Sequence, residues 1–89
     1  MNKETRKQLE KIVGQLSDLA SDAETLLESV QLLAEEEREK FDNLSEGLQA
    51  SEKGQAIDEA SMQLEDAAIP LQEAFGALQE AENILSAVN

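Results

Sequence analysis

The chain has 89 residues, with 7 Lys or Arg against 20 Asp or Glu, and so a net charge of −13. That balance argues against direct nucleic-acid binding, which needs basic side chains against phosphate, and against anionic membrane surfaces. Histidine, cysteine, tryptophan and tyrosine are absent, which removes disulfides, zinc–thiolate sites and thiol or imidazole catalysis.

A chain of this length makes one small domain, here residues 1–89, and such domains are marginal unless well packed or oligomeric. No run of about 18 apolar residues is present, so no transmembrane helix is expected and no membrane association. The N-terminal segment is basic but leads into no apolar stretch, unlike a signal peptide. The expected location is the cytoplasm.

The first helix is predicted over about residues 3–41. Leu9, Ile12, Leu16, Leu19, Ala23, Leu26, Val30 and Leu33 alternate at spacings of three and four. With Leu9 at position a, they fill the a and d sites of a heptad, the pattern of a helix packed lengthwise on others. A further column, Val13, Ala20, Leu27, Ala34 and Phe41, runs beside them at e. A stripe three positions wide belongs to a helix with two neighbours. Lys3, Arg6, Lys7 and Lys11 crowd the start of this helix and Glu35, Glu36, Glu37 and Glu39 its end. Both clusters oppose the helix dipole, so a partner is expected to offset them.

Residues 42–50 read as the turn. Gly47 and Gly54 lie near Asp42, Asn43, Ser45 and Ser51, residues that favour turns and caps. The expectation is a loop over 42–44 and a short helical turn over 45–50. Asn43 and Glu46 have capping-box spacing, and Ser51 is the candidate N-cap of the next helix.

The second helix is predicted over about residues 51–88. Its a sites are Ile57, Leu64, Leu71, Leu78 and Leu85; its d sites are Ala60, Ala67, Ala74, Ala81 and Val88. In an antiparallel hairpin whose paired residue numbers add to roughly 93, Ile12, Leu19, Leu26 and Leu33 lie level with Ala81, Ala74, Ala67 and Ala60. Large then faces small, as interdigitating layers require. The same pairing brings the basic start of the first helix to Glu80 and Glu82. Pro70 falls at g, where it removes a helical hydrogen bond. Because the heptad keeps its phase across it, a kinked but continuous helix is expected.

A hairpin buries one seam and leaves Val13, Ala20, Leu27, Ala34, Phe41, Phe75 and Ile84 largely wet. Contiguous exposed apolar surface marks an interface, so these residues are the expected self-association face of a homodimeric four-helix bundle. Met62 and Ile69 fall at f, either as isolated surface residues or as a partner contact. Glu59, Asp66, Glu73 and Glu80 form a column on the outer c face. They read either as solvated surface or as an acidic stripe along a rod of about 50 Å, able to imitate a DNA backbone before a basic protein partner. The chain shows no nucleophile–base arrangement, glycine-rich phosphate loop or EF-hand spacing. No catalytic, cofactor-binding or metal residue is assigned.

The segment Glu35-Glu36-Glu37-Arg38-Glu39-Lys40-Phe41-Asp42-Asn43-Leu44, followed by Glu46-Gly47-Leu48-Gln49 and Ser51-Glu52, resembles small acidic proteins encoded by tailed phages and other bacterial mobile elements. Ser45 stands where those proteins usually carry proline. The resemblance covers the central third in detail and the remainder by composition. It implies a phage or mobile-element origin, hence a host-cytoplasm location, and a helical hairpin, and it implies no mechanism. The expected function is a non-enzymatic helical interaction and oligomerisation module. The alternative is an acidic DNA-mimic inhibitor of a host nucleic-acid-binding or defence protein.

Overall fold

A computed structural model describes residues 1–88. The fold is all-α: α1 (Lys3–Asp42), α2 (Glu46–Gln49) and α3 (Glu52–Ser86). The long helices α1 and α3 lie side by side as a hairpin, and α2 forms its tip. The molecule is a rod of 69 × 15 × 14 Å. Helix α1 alone runs for 40 residues, about 60 Å at the rise of an α-helix, so the rod exceeds the roughly 50 Å drawn from the sequence.

Each helix start is set by a short polar side chain. Asn2 opens α1, its Oδ1 accepting from the Thr5 amide at 2.8 Å. Asn43 has helical backbone angles and donates its amide to the Glu39 carbonyl, and the Leu44 amide donates to the Phe41 carbonyl. Asn43 therefore closes α1, and its expected capping box with Glu46 does not form. Ser45 is the residue with the extended backbone an N-cap requires, and its hydroxyl accepts from the Leu48 amide. Ser51 caps α3 as expected, accepting from the Gly54 amide at 3.1 Å. Side-chain amides tie the tip together: Gln49 donates to the Phe41 carbonyl at 3.0 Å and Gln55 to the Gln49 carbonyl at 2.9 Å.

Two cross-helix bonds establish the register. The Ser61 hydroxyl donates to the Ala34 carbonyl at 3.4 Å, and Arg38 meets Asp58 at 2.8 Å. Paired numbers thus add to 95 or 96, within half a heptad of the value expected from sequence. On that register Phe41 stands level with Gly54, Ala34 with Ser61, Leu27 with Ala68, and Ala20 with Phe75. A small residue occupies every one of these layers. Among the described residues, Ala20, Leu27, Ala34, Gly54 and Ser61 are the buried ones, and Ser61 is wholly inaccessible. Small residues on both sides at Ala34 and Ser61 let the backbones approach closely enough for a side chain to reach the opposite carbonyl.

This seam corrects the expected self-association face. Ala20, Leu27 and Ala34 are buried inside the hairpin, and Val13, Phe41 and Phe75 are half-buried along the same seam. These six are committed to holding α1 against α3. Of the expected set, only Ile84 remains exposed.

Helix α3 passes through Pro70 without a break. Pro70 is exposed, so water can take the carbonyl bond that the missing amide leaves open. Arg6, Leu9, Glu10 and Val88 line a common depression, so the basic start of α1 does lie at the same end as the close of α3. Among the described residues, however, ion pairs form only between Arg38 and Asp58 and between Lys40 and Glu37. Lys3, Arg6, Lys7 and Lys11 make no such bond to Glu80 or Glu82.

A Cβ on Gly54 would fall 2.7 Å from the Gln49 carbonyl oxygen and would overlap the Leu48 carbonyl outright. Both obstacles are backbone, so the tip itself must move. Gly54→Ala is expected to destabilise the chain by about 2–3 kcal/mol, in the range of an overpacked core, read as a lower urea midpoint. Gly47→Ala, with open space around it, is expected to raise the midpoint slightly through helix propensity.

Candidate functional site

With a and e facing inward, the angular geometry of the helices decides what faces out. Successive residues turn by about 100°, so d lies on one flank of the seam and b on the other. In an antiparallel pair the two b flanks share one broad face and the two d flanks share the opposite one. Arg38 and Asp58 are both b residues, and their contact identifies the polar face. The d residues of both helices therefore emerge together on the other side.

That other side carries Ile12, Leu19, Leu26 and Leu33 from α1, each 46–57% exposed. Beside them lie Ala67 and Ala74 of α3, exposed, and Ala60 and Ala81, half-buried. Large residues still neighbour small ones, shifted by two to three residues from the pairing expected from the sequence, but on the outer surface rather than in a closed core. The result is a ridge of branched side chains along α1 and a shallow alanine trough along α3. Sequence reasoning had these leucines inside and the e column outside. The contrary signal was present: Gly54, Ser61, Ala68 and Phe75 recur every seven residues at e and complement Phe41, Ala34, Leu27 and Ala20 layer by layer.

Few charges reach the apolar face. Lys40 and Lys53 fall at d near the tip, and Asp22 and Glu36, at g, and Glu37, at a, flank the face, whereas Glu10, Glu24, Glu28, Glu35, Glu65 and Asp66 lie on the polar face or the outer edges. The accessible surface is 6517 Å², against roughly 5,100 Å² for a compact monomer of this mass. The excess, about 1,400 Å², is more than the ~800 Å² that each partner gives to a standard interface.

The polar face holds an open trough of 670 Å³ lined in part by Glu35, Arg38, Glu39, Glu65 and Ile69. The Arg38 guanidinium lies 5.5 Å from the centroid of the Phe41 ring. Its pKa is raised above the ordinary arginine value, chiefly by the hydrogen bond with Asp58; partial burial opposes this, and the charges of Asp58, Glu65 and Asp42 add to it. Lys40 is likewise raised by its hydrogen bond to Glu37. A raised basic group stabilises the fold fully below its unfolded pKa and loses that contribution only as pH climbs past the folded value. Neither basic group therefore makes stability pH-dependent near neutrality. Glu59, Asp66, Glu73 and Glu80 are exposed along the outer edge of α3, with Met62 and Ile69 exposed between that edge and the polar face. Among the described residues no three acidic side chains converge as a metal site.

Comparison with protein-family models, with curated proteins and with solved structures gave no match. No helix among the described residues is long and apolar enough to cross a membrane.

Leu26 and Leu27 are adjacent in sequence and opposite in environment, which gives a direct check of the seam. Leu27→Ala is expected to cost about 2–4 kcal/mol, as for a buried leucine. Leu26→Gln is expected to cost less than about 1 kcal/mol in dilute, monomeric protein. Urea denaturation at low micromolar concentration separates the two, and equal losses would mean that the e column does not form the seam.

Proposed function

We propose that this chain is a non-enzymatic helical module that works by association through its apolar d face, and that the occupant of that face is a second copy. The observation that carries this is the row Ile12, Leu19, Leu26 and Leu33, half exposed along one side of a thin hairpin. Burying a large aliphatic side chain contributes roughly 1.5–3 kcal/mol, so a row of four on each copy is a large unused driving force. Two copies stacked face to face give a four-helix bundle. The charge arrangement suits a self-partner despite the −13 on each chain, because most carboxylates point away from the shared face.

A phage or mobile-element origin and a place in the host cytoplasm belong to the same reading, and both rest on the resemblance of the central segment. The DNA-mimic alternative is less well supported by charge spacing. Glu59, Asp66, Glu73 and Glu80 stand about 10 Å apart along α3, whereas B-DNA carries one charge per ~1.7 Å of axis.

Sedimentation equilibrium over a concentration series is expected to give twice the 9.7 kDa chain mass. Leu19→Glu with Leu26→Glu is expected to weaken association by at least ~100-fold, given two lost apolar contacts per copy and ~1.4 kcal/mol per decade, while leaving the helical circular dichroism intact. A wild-type chain that stays monomeric at several hundred micromolar would overturn the proposal.

A further inference from the structure

We infer that the second copy docks with its hairpin tip at the same end as the first, so that the leucine ridge of each copy enters the alanine trough of the other. This rests on the dimer reading above and specifies its geometry. Two face-to-face arrangements have two-fold symmetry. A dyad along the rod sets α1 over the partner's α3, with both tips together. A dyad across the rod sets α1 over the partner's α1, with the tips 69 Å apart at opposite ends.

Shape separates them. On the register given by the Ser61–Ala34 and Arg38–Asp58 bonds, the exposed Leu19 and Leu26 stand two to three residues, about 3–4.5 Å, from the level of Ala74 and Ala67 within one hairpin, nearer to these than to any other alanine of the d column. A rotation about the rod axis preserves level, so Leu19 lies nearest the partner's Ala74 and Leu26 nearest the partner's Ala67, and the reverse pair forms by symmetry. Large then fills small along both helix–helix contacts at one spacing. The crosswise dyad instead sets leucine on leucine along one contact and alanine on alanine along the other, which wedges the two hairpins apart.

Rim charge points the same way. The row from Ile12 to Leu33 is centred on α1, which spans Lys3–Asp42, so a crosswise dyad that overlaps the two rows passes beside Asp22. It would put Asp22 against the partner's Asp22. The lengthwise dyad puts Asp22 against Pro70 and Ala77 at the g sites of the partner's α3, neither of them charged. One effect opposes the proposal: both acidic tips are brought together. Those carboxylates are exposed and spread over the tip, and at physiological ionic strength screening acts within about 8 Å, so the ridge-and-trough fit wins. It follows that added salt strengthens association.

The experiment is a double electron–electron resonance measurement on the full chain, nitroxide-labelled through a single introduced cysteine. The sequence has no other cysteine. Gly47→Cys is suitable because nothing lies within 4 Å of its Cβ direction, and Lys3→Cys reports the other end. Sedimentation and circular dichroism establish that each labelled variant is folded and dimeric. The expected result is a distance below about 30 Å at both positions, since packed helices lie 8–10 Å apart and labels add their own reach. A dimer with distances approaching the 69 Å rod length at both positions would overturn the orientation while leaving the dimer intact. A monomer with no intermolecular distance would overturn the dimer reading itself.

Discussion

At the tip of the hairpin the backbone of α2 lies against the first turn of α3, with the Leu48 and Gln49 carbonyls where the side chain of residue 54 would begin. Only glycine fits, and its backbone takes no positive φ there; the requirement is space, not an unusual torsion. Everything further along the rod depends on that closeness. It sets the distance at which α3 leaves the tip and the angle about its own axis at which it starts. Ser51 holds the position from within, capping α3 through the Gly54 amide. Gln49 holds it from outside, through the Phe41 carbonyl.

From that start the two helices descend in layers. Phe41 with Gly54, Ala34 with Ser61, Leu27 with Ala68 and Ala20 with Phe75 each fill the seam with one small residue or two. At Ala34 and Ser61 both residues are small, and there the Ser61 hydroxyl, the one buried polar side chain among the described residues, finds a carbonyl. Because every buried layer uses the e column, the d column has to point away. The exposed leucines of α1 and the alanines beside them follow from the angular start at Gly54.

Charge is sorted by the same rotation. The b flanks carry the Arg38–Asp58 pair and much of the acidic surface, and the outer edge of α3 carries Glu59, Asp66, Glu73 and Glu80. The d flanks are left nearly neutral. A strongly acidic chain can thus present one face on which a like-charged neighbour is tolerated. The basic start of α1 shares its end of the rod with Glu80 and Glu82 without bonding to them. The ion pairs that do form among the described residues lie near the tip.

Much of this architecture was legible in the residues. The heptads specified two long helices. Ser51 and the glycines specified the turn, and the volumes of the paired columns placed the register within half a heptad. The continuity of α3 through Pro70 followed from the unbroken phase of Leu64, Ala67, Leu71 and Ala74. The sequence by itself could not choose which two of three adjacent apolar columns face inward. Leucine opposite alanine at d and phenylalanine opposite glycine at e are both good layers, and a helix turned by about 100° exchanges one for the other. Periodicity records that a stripe exists and how wide it is, but the angle at which the stripe meets its partner is a property of the closed tip. That angle arises from the missing side chain of Gly54 and the cap at Ser51 acting together, and only the tertiary structure contains it.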